Sequence, residues 1–305
     1  MIENFWFQVL IVALLFDIIL GEPPAFIHPV VWMGKLIGLF VHRAPSGHRK
    51  LFGFFMVISC VGLAVIAGTA IISLGGFSGL IVAAFFLKST FSIHLLLVSA
   101  LGVKKDLEKD RIEKVRKDLK IFVGRDTSGL NKYQSASAVI ESVAESFVDG
   151  ILSPLFYFLI FGLPGALAYR MINTLDSMVG YKKEPFIDLG YVAARLDDLM
   201  NWVPARISLL FIFIASFIFG SPRNALETCI RDHGETASPN SGWPMAAVSG
   251  ALKVRLEKIG YHVLGNNYPH PEVYQIKNAV NIVGISSLLV ITGIYFIGRV
   301  PLIRF

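Results

Sequence analysis

The sequence predicts an all-α, polytopic membrane protein, with about five or six hydrophobic segments joined by polar helices and loops. Three observations carry this. Apolar residues make up 54% of the 305-residue chain and charged residues 16%, against roughly 45–50% and 25% in soluble domains. The mean hydropathy is +0.62. From Leu51 to Leu87 no side chain is charged, enough for one span of roughly 20 residues and most of a second.

The net charge of +6 suits anionic lipid headgroups and anionic substrates. No nucleic-acid partner is expected, because the Lys and Arg are not interleaved with aromatics on a recognisable module. Cys60 and Cys229 are far apart and read as packing residues rather than a disulfide. The start, MIENF, has Glu3 and no basic residue, so residues 4–20 read as a retained span rather than a cleaved leader.

The first span, 4–20, carries Asp17 near its end. Gly21, Pro23, Pro24 and Pro29 then preclude a continuous helix. Asp17, Glu22 and His28 are thereby gathered on a constrained turn. It is either a rigid interfacial loop anchored by Trp32 or part of a polar site. The loop 42–50, HRAPSGHRK, has three Lys or Arg and no acid, so it is expected on the cytoplasmic side. Spans follow at 52–74 and 77–101. The second contains Lys88 and His94, and Lys88 lies ~13 residues from either end of its run, too deep to snorkel easily. A polar interior role is expected for it.

Residues 103–122 alternate acid and base, with Leu107, Ile112, Val115, Leu119 and Phe122 at helical spacing. This predicts an amphipathic surface helix. Gly124 to Gly129 reads as a turn and the following stretch as a helix. On that helix Glu141, Glu145 and Asp149 recur at i, i+4, i+8, on one face. Three stacked carboxylates repel one another, so protein cations or a divalent metal must lie between them. Mg²⁺ is the natural metal, since it takes a few carboxylates plus substrate phosphates. Residues 151–170 are apolar but interrupted by Pro154 and Gly162-Leu163-Pro164-Gly165, a broken or re-entrant segment.

The richest polar block, 171–206, follows between apolar segments. It holds Asn173, Asp176, Ser177, Lys182, Arg195, Asp197, Asp198, Asn201 and Arg206. Carboxylates, amides and guanidinium groups in this mixture suit a metal-bound polyphosphate. A short span, 207–220, leads to a third polar block, 231–252, with Arg231, Asp232, Ser238 and Asn240. Residues 253–278 read as polar and loop-like, and the last span as 279–298. The whole is expected to be one integral-membrane domain, 1–305, with polar blocks at 17–38, 124–150, 171–206 and 231–252. Walls at 125–149, 171–206 and 231–243 are expected to form a single site with 17–28 at its rim. That requires 151–170, 207–220 or both to be re-entrant or interfacial.

Several stretches carry a resemblance. GEPP…HPVVWMGKLI (21–37), GRDTSGL (124–130), ESVAESFVDGILSPLFY (141–157), YRMINTLDSMVGYK (169–182), AARLDDLMNWVPAR (193–206) and RDHGETASPNSGWPMAAVSGAL (231–252) stand in this order. The chain resembles the adenosylcobinamide-phosphate synthases, the integral-membrane family labelled CbiB or CobD. The resemblance implies a cobalamin-pathway ligase in the cell membrane, with its site facing the cytoplasm. A propionate of adenosylcobyric acid, an adenosylated corrinoid, would be joined to an amino-alcohol phosphate such as aminopropanol phosphate, using ATP and Mg²⁺.

On that reading Asp176, Glu145 and Asp198 are the candidate catalytic carboxylates. Arg125, Asp126, Asn173, Ser177, Lys182, Arg195, Asn201, Arg206, Arg231, Asp232, Ser238, Asn240 and His28 would contact substrate or nucleotide. Glu141, Glu145, Asp149 and Asp197 would hold metal. The family setting also allows a complex with other cobalamin-assembly enzymes or a homo-oligomer. No G-x-x-x-x-G-K-[ST] phosphate loop is present, so the nucleotide site would be of another kind. Glu22 stands where the family usually has Asp, Ser146 where it often has Asn, and the match is poor after residue 252. The competing readings are a non-catalytic membrane sensor on the same scaffold and a small-molecule transporter. A transporter should carry an internal repeat of spans, and none is found.

Overall fold

The computed structural model describes residues 2–122, 127–181 and 183–297. Among the described residues it is helical almost throughout, and five helical runs are long and apolar enough to cross a membrane: Arg49–Ser73, Gly76–Glu108, Lys132–Val179, Tyr191–Phe219 and Gln275–Ile297. Two shorter apolar helices, Phe5–Ile19 and Pro29–His42, accompany them. Large apolar side chains such as Ile66, Phe217 and Ile218 are exposed on these runs. In water they would be a liability, but against lipid tails they are the expected outer face.

The chain forms two compact units: Met1–Ser92, Ser153–Asn201 and Gly293–Phe305 make the first, and Ile93–Leu152 with Trp202–Thr292 the second. In the first unit α1 (Ile2–Ile19), α2 (Pro29–His42), α3 (Arg49–Ser73) and α4 (Gly76–Lys88) are followed by α8 (Ser153–Val179), α9 (Phe186–Leu189) and α10 (Tyr191–Met200). The long helix α8 is central and packs on α2, α3, α4 and α10. It is broken as the sequence predicts. Gly162 has φ 65° and ψ −156°, a conformation closed to other residues, and Pro164 follows it. The indole of Trp6 fills the space that a side chain at Gly162 would need.

In the second unit α5 (Ile93–Glu108), α6 (Ile112–Phe122) and α7 (Lys132–Phe147) are followed by a π-helical turn, Val148–Leu152. After α8–α10 come α11 (Trp202–Phe219), α12 (Pro222–Asp232) and α13 (Gly242–Leu252). A two-stranded hairpin, β1 (Leu256–Lys258) and β2 (His262–Leu264), follows, and α14 (Gln275–Ile297) belongs to this unit as far as Thr292. α7 begins at a reciprocal cap, in which the Asn131 side chain accepts from Gln134 N–H and Gln134 Oε1 accepts from Asn131 N–H. The nearly fully buried α13 packs on α7, α11 and α12.

Two expectations change, and a third gains detail. The expected span 77–101 lies within the run Gly76–Glu108, which turns between α4 and α5, where Ser89 and Thr90 place their hydroxyls on the carbonyls of Phe86 and Leu87 at 2.7 Å each. Hydroxyls that bond back to the preceding turn compete with the helical ladder. The helix expected over 103–122 breaks at 109–111, where Asp110 has φ 53° and the Asp106 carboxylate gathers Arg111 and Lys114. The loop expected at 253–278 contains the hairpin, with Leu256 opposite Leu264 and Lys258 opposite His262. Strands of three residues are too short to show a period of two.

Candidate functional site

In the first unit the corner at 17–28 and the deep lysine become one ionic cluster. Lys88 Nζ donates to Glu22 Oε1 at 2.6 Å and lies 3.4 Å from Asp17 Oδ1, and Lys88 and Asp17 are 1% and 2% exposed. Ser92 Oγ also donates to Glu22 Oε1, at 2.6 Å. His28 Nδ1 accepts from Val30 N–H at the start of α2, so its Nε2 carries the proton donated to Glu22 Oε2 at 3.0 Å. Partial burial pushes the Glu22 pKa up, but the hydrogen bonds of His28, Lys88 and Ser92 outweigh it and pull it down to about 2. Expected as a substrate contact, His28 caps α2 and anchors Glu22.

The last turns of α8 meet α10 in the same unit. Asp197 Oδ1 accepts from Asn173 Nδ2 at 3.3 Å and Asp197 Oδ2 from Asn201 Nδ2 at 3.0 Å. Asn201 Oδ1 accepts the hydroxyls of Ser153 at 2.7 Å and Tyr169 at 2.8 Å. A carboxylate can only accept, which fixes the orientation of both amides. Asn201 is 1% exposed. Its side chain is committed inside the protein, where it holds Asp197 in place. Asp198 and Asp176 are half-buried nearby in sequence, and Ser177 is exposed with its hydroxyl on the Asn173 carbonyl. Arg195 lies over the Tyr191 ring at 5.6 Å. The turn between α8 and α10 is tight: a Cβ on Gly190 would stand 1.7 Å from the Val179 carbonyl oxygen.

The second unit holds the remaining described residues. Arg206 donates to the Trp202 carbonyl at 2.7 Å, and its guanidinium lies over the Trp202 ring at 4.1 Å and the Trp243 ring at 5.0 Å. Its contact with Asn240 Oδ1 is long, 3.5 Å. Ser238 Oγ accepts from the amides of Asn240 and Ser241, and so shapes the turn before α13. Asp232 accepts from Arg231 Nε at 2.6 Å and Nη2 at 2.8 Å, and from Gly265 N–H at 2.7 Å. Burial raises the Asp232 pKa, but these bonds outweigh it and leave the carboxyl below its ordinary value.

The stripe on α7 is not uniform. Glu141 is buried, Glu145 exposed, and Asp149 half-buried within the π-helical turn. Glu141 Oε1 accepts from Ser137 Oγ at 2.7 Å and Oε2 pairs with His262 Nε2 at 3.2 Å. Ser137 Oγ in turn accepts from Glu257 N–H at 2.8 Å. The buried carboxylate expected to bind metal thus docks the hairpin. Among the described residues no three His, Cys, Asp or Glu come together as a group able to hold a metal ion. A metal carried on nucleotide phosphates needs only one or two carboxylates. Asp197 fits that demand, since each of its oxygens accepts one amide and retains a lone pair.

The hairpin closes a cleft of about 690 Å³ in the second unit, lined by Arg231, Asp232, Glu235, residues 257–263 without Ile259, Asn266 and Asn267. Sequence reasoning named Arg231 and Asp232 but missed the hairpin side and His262, because nothing in 253–278 marks a pairing partner. Ser153 and Tyr169 were also missed, being single hydroxyls in largely apolar runs, and so was Ser92, whose partner Glu22 is 70 residues away. Arg125, Asp126 and Lys182 lie outside the described residues.

Residues 10–288 match the family model described as CobD/Cbib protein. The chain is 41% identical over 305 residues to a "Cobalamin biosynthesis protein CobD" of Dehalococcoides mccartyi (strain CBDB1), covering 96% of this chain and 98% of the relative. It is 40% identical over 308 residues to a "Probable cobalamin biosynthesis protein CobD" of Methanothrix thermoacetophila, covering 94% and 95%. A further "Cobalamin biosynthesis protein CobD", from Photorhabdus laumondii, is 41% identical over 261 residues, covering 82% and 81%. No solved structure matches the chain.

Proposed function

The chain belongs to the CobD/CbiB family, and on that premise we propose that it is a cobalamin-pathway ligase that makes an amide on a corrinoid side chain. The substrates are adenosylcobyric acid, ATP and an amino-alcohol phosphate such as aminopropanol phosphate. The observation that carries the reading is the span of the family match, 10–288, which takes in all four polar blocks.

Chemically, a phosphoryl group passes from ATP to a propionate oxygen, releasing ADP. The amine then attacks the activated carbonyl, the C–N bond forms, phosphate leaves, and one proton passes to a base. The chain's part is positioning and electrostatics. Asp197, fixed by Asn173 and Asn201, would hold Mg²⁺ with Asp198 beside it; bound there, the ion supplies charge neutralisation for the phosphates. Asp176 is the candidate base, half-buried on the last turns of α8. The enzyme would work in the cell membrane, with its chemistry on the cytoplasmic side where ATP is found.

The test is direct. Purified, folded protein supplied with adenosylcobyric acid, aminopropanol phosphate, ATP and Mg²⁺ should release adenosylcobinamide phosphate and ADP. Absence of both products from folded protein refutes the proposal.

A further inference from the structure

The cleft beneath the hairpin has a charge pattern that selects a ligand. Asp232 is neutralised by Arg231, and Glu257 lies 3.2 Å from Arg255. Two charged lining residues are left with no ion-pair partner among the described residues, Glu235 on one segment and Lys258 on the hairpin. Lys258 Nζ is held 4.8 Å over the Tyr261 ring. Arg231 spends Nε and Nη2 on Asp232, which leaves Nη1 for an anion.

The walls are preformed. Glu257 N–H is bound by Ser137, His262 by Glu141, and Gly265 N–H by Asp232. A site built this way loses little on ordering its walls when a ligand enters. One unmatched cation and one unmatched anion, with the Asn266 and Asn267 side chains beside them, complement a small zwitterion. A nucleoside triphosphate fits poorly, because its larger negative charge outruns the one unmatched cation and meets the unmatched Glu235.

We propose that this cleft seats the amino-alcohol phosphate, with its phosphate on Lys258 and Arg231 Nη1 and its ammonium on Glu235. The identity of the zwitterion rests on the ligase reading above.

Titration calorimetry on the full-length protein in detergent tests this, with aminopropanol phosphate, inorganic phosphate and aminopropanol as separate probes and neither ATP nor corrinoid present. Aminopropanol phosphate should bind. Lys258→Met should weaken aminopropanol phosphate and inorganic phosphate at least about tenfold, and Lys258→Arg should restore most of the loss. Glu235→Gln should weaken aminopropanol phosphate and aminopropanol alone, leaving inorganic phosphate unchanged. Wild-type affinity in both Lys258→Met and Glu235→Gln overturns the site, as does a wild-type KM for the amine substrate in both during ligation. The expected binding pattern in a protein that never forms product upholds the site and refutes the ligase reading instead.

Discussion

Glu22→Gln isolates one charge of the ionic cluster in the first unit. Glu22 falls from an ordinary glutamate value of 4.5 to about 2 in the folded protein. At roughly 1.4 kcal/mol per pH unit, that difference corresponds to about 3 kcal/mol of stability. The carboxyl is depressed, so the contribution is complete above about pH 5 and is lost as the pH falls through 4.5 toward 2. Many acids titrate there, so the informative quantity is the wild-type stability minus that of Glu22→Gln. It should be at most about 3 kcal/mol at pH 7, since solvent screens part of it, and shrink by no more than roughly 1.4 kcal/mol per unit on acidification. The assay is unfolding of detergent-solubilised protein, followed by intrinsic fluorescence from pH 2 to 7. A difference that stays constant across that range, or grows toward acid, refutes the argument. Lys88→Met should also destabilise, by about 3–5 kcal/mol, because it removes the cation that faces both Asp17 and Glu22 at a buried position.

Four other outcomes follow from the geometry. Asn201→Ala removes the acceptor of the Ser153 and Tyr169 hydroxyls and one donor to Asp197; unfolding experiments should show a loss of at least about 1–3 kcal/mol. Gly190→Ala places a Cβ 1.7 Å from the Val179 carbonyl oxygen, so the midpoint of thermal unfolding should drop as the turn is forced open, by about 1–3 kcal/mol or more. The Cys229 thiol is pushed up to about 12 by burial and by the Asp232 charge; folded protein at pH 8 should resist maleimide there and react only after denaturation, as read by intact mass. Asp176→Asn should cut ligation by about a hundredfold or more without unfolding the protein, the loss expected of a general base, and wild-type turnover would remove Asp176 from that role.

The helical class was legible because its signal is long. A run without charge from 51 to 87 and a broken apolar segment at 151–170 announce themselves over many residues. The deep position of Lys88 and the carboxylates at 17 and 22 were each visible, but their pairing was not, since Lys88 and Glu22 are 66 residues apart. Distant pairing leaves no periodic trace. The i, i+4, i+8 stripe on α7 gave the right face and an unexpected use for its first member, because burial separates Glu141 from Glu145 and Asp149. The hairpin escaped for a related reason: two of its three anchors are the backbone amides of Glu257 and Gly265, and an amide has no letter in the sequence.

The ionic cluster also bears on how the chain enters its membrane. A lysine crossing the centre of a bilayer alone costs about 2.5–3.5 kcal/mol even on the mildest scales. Asp17 and Glu22 precede Lys88 in the chain and therefore leave the ribosome first. When the cation arrives at the end of a long uncharged run, its counter-charges are already waiting. In the folded protein Lys88 thereby ties the end of α4 to the corner between α1 and α2, and no charge of the cluster faces lipid unmatched.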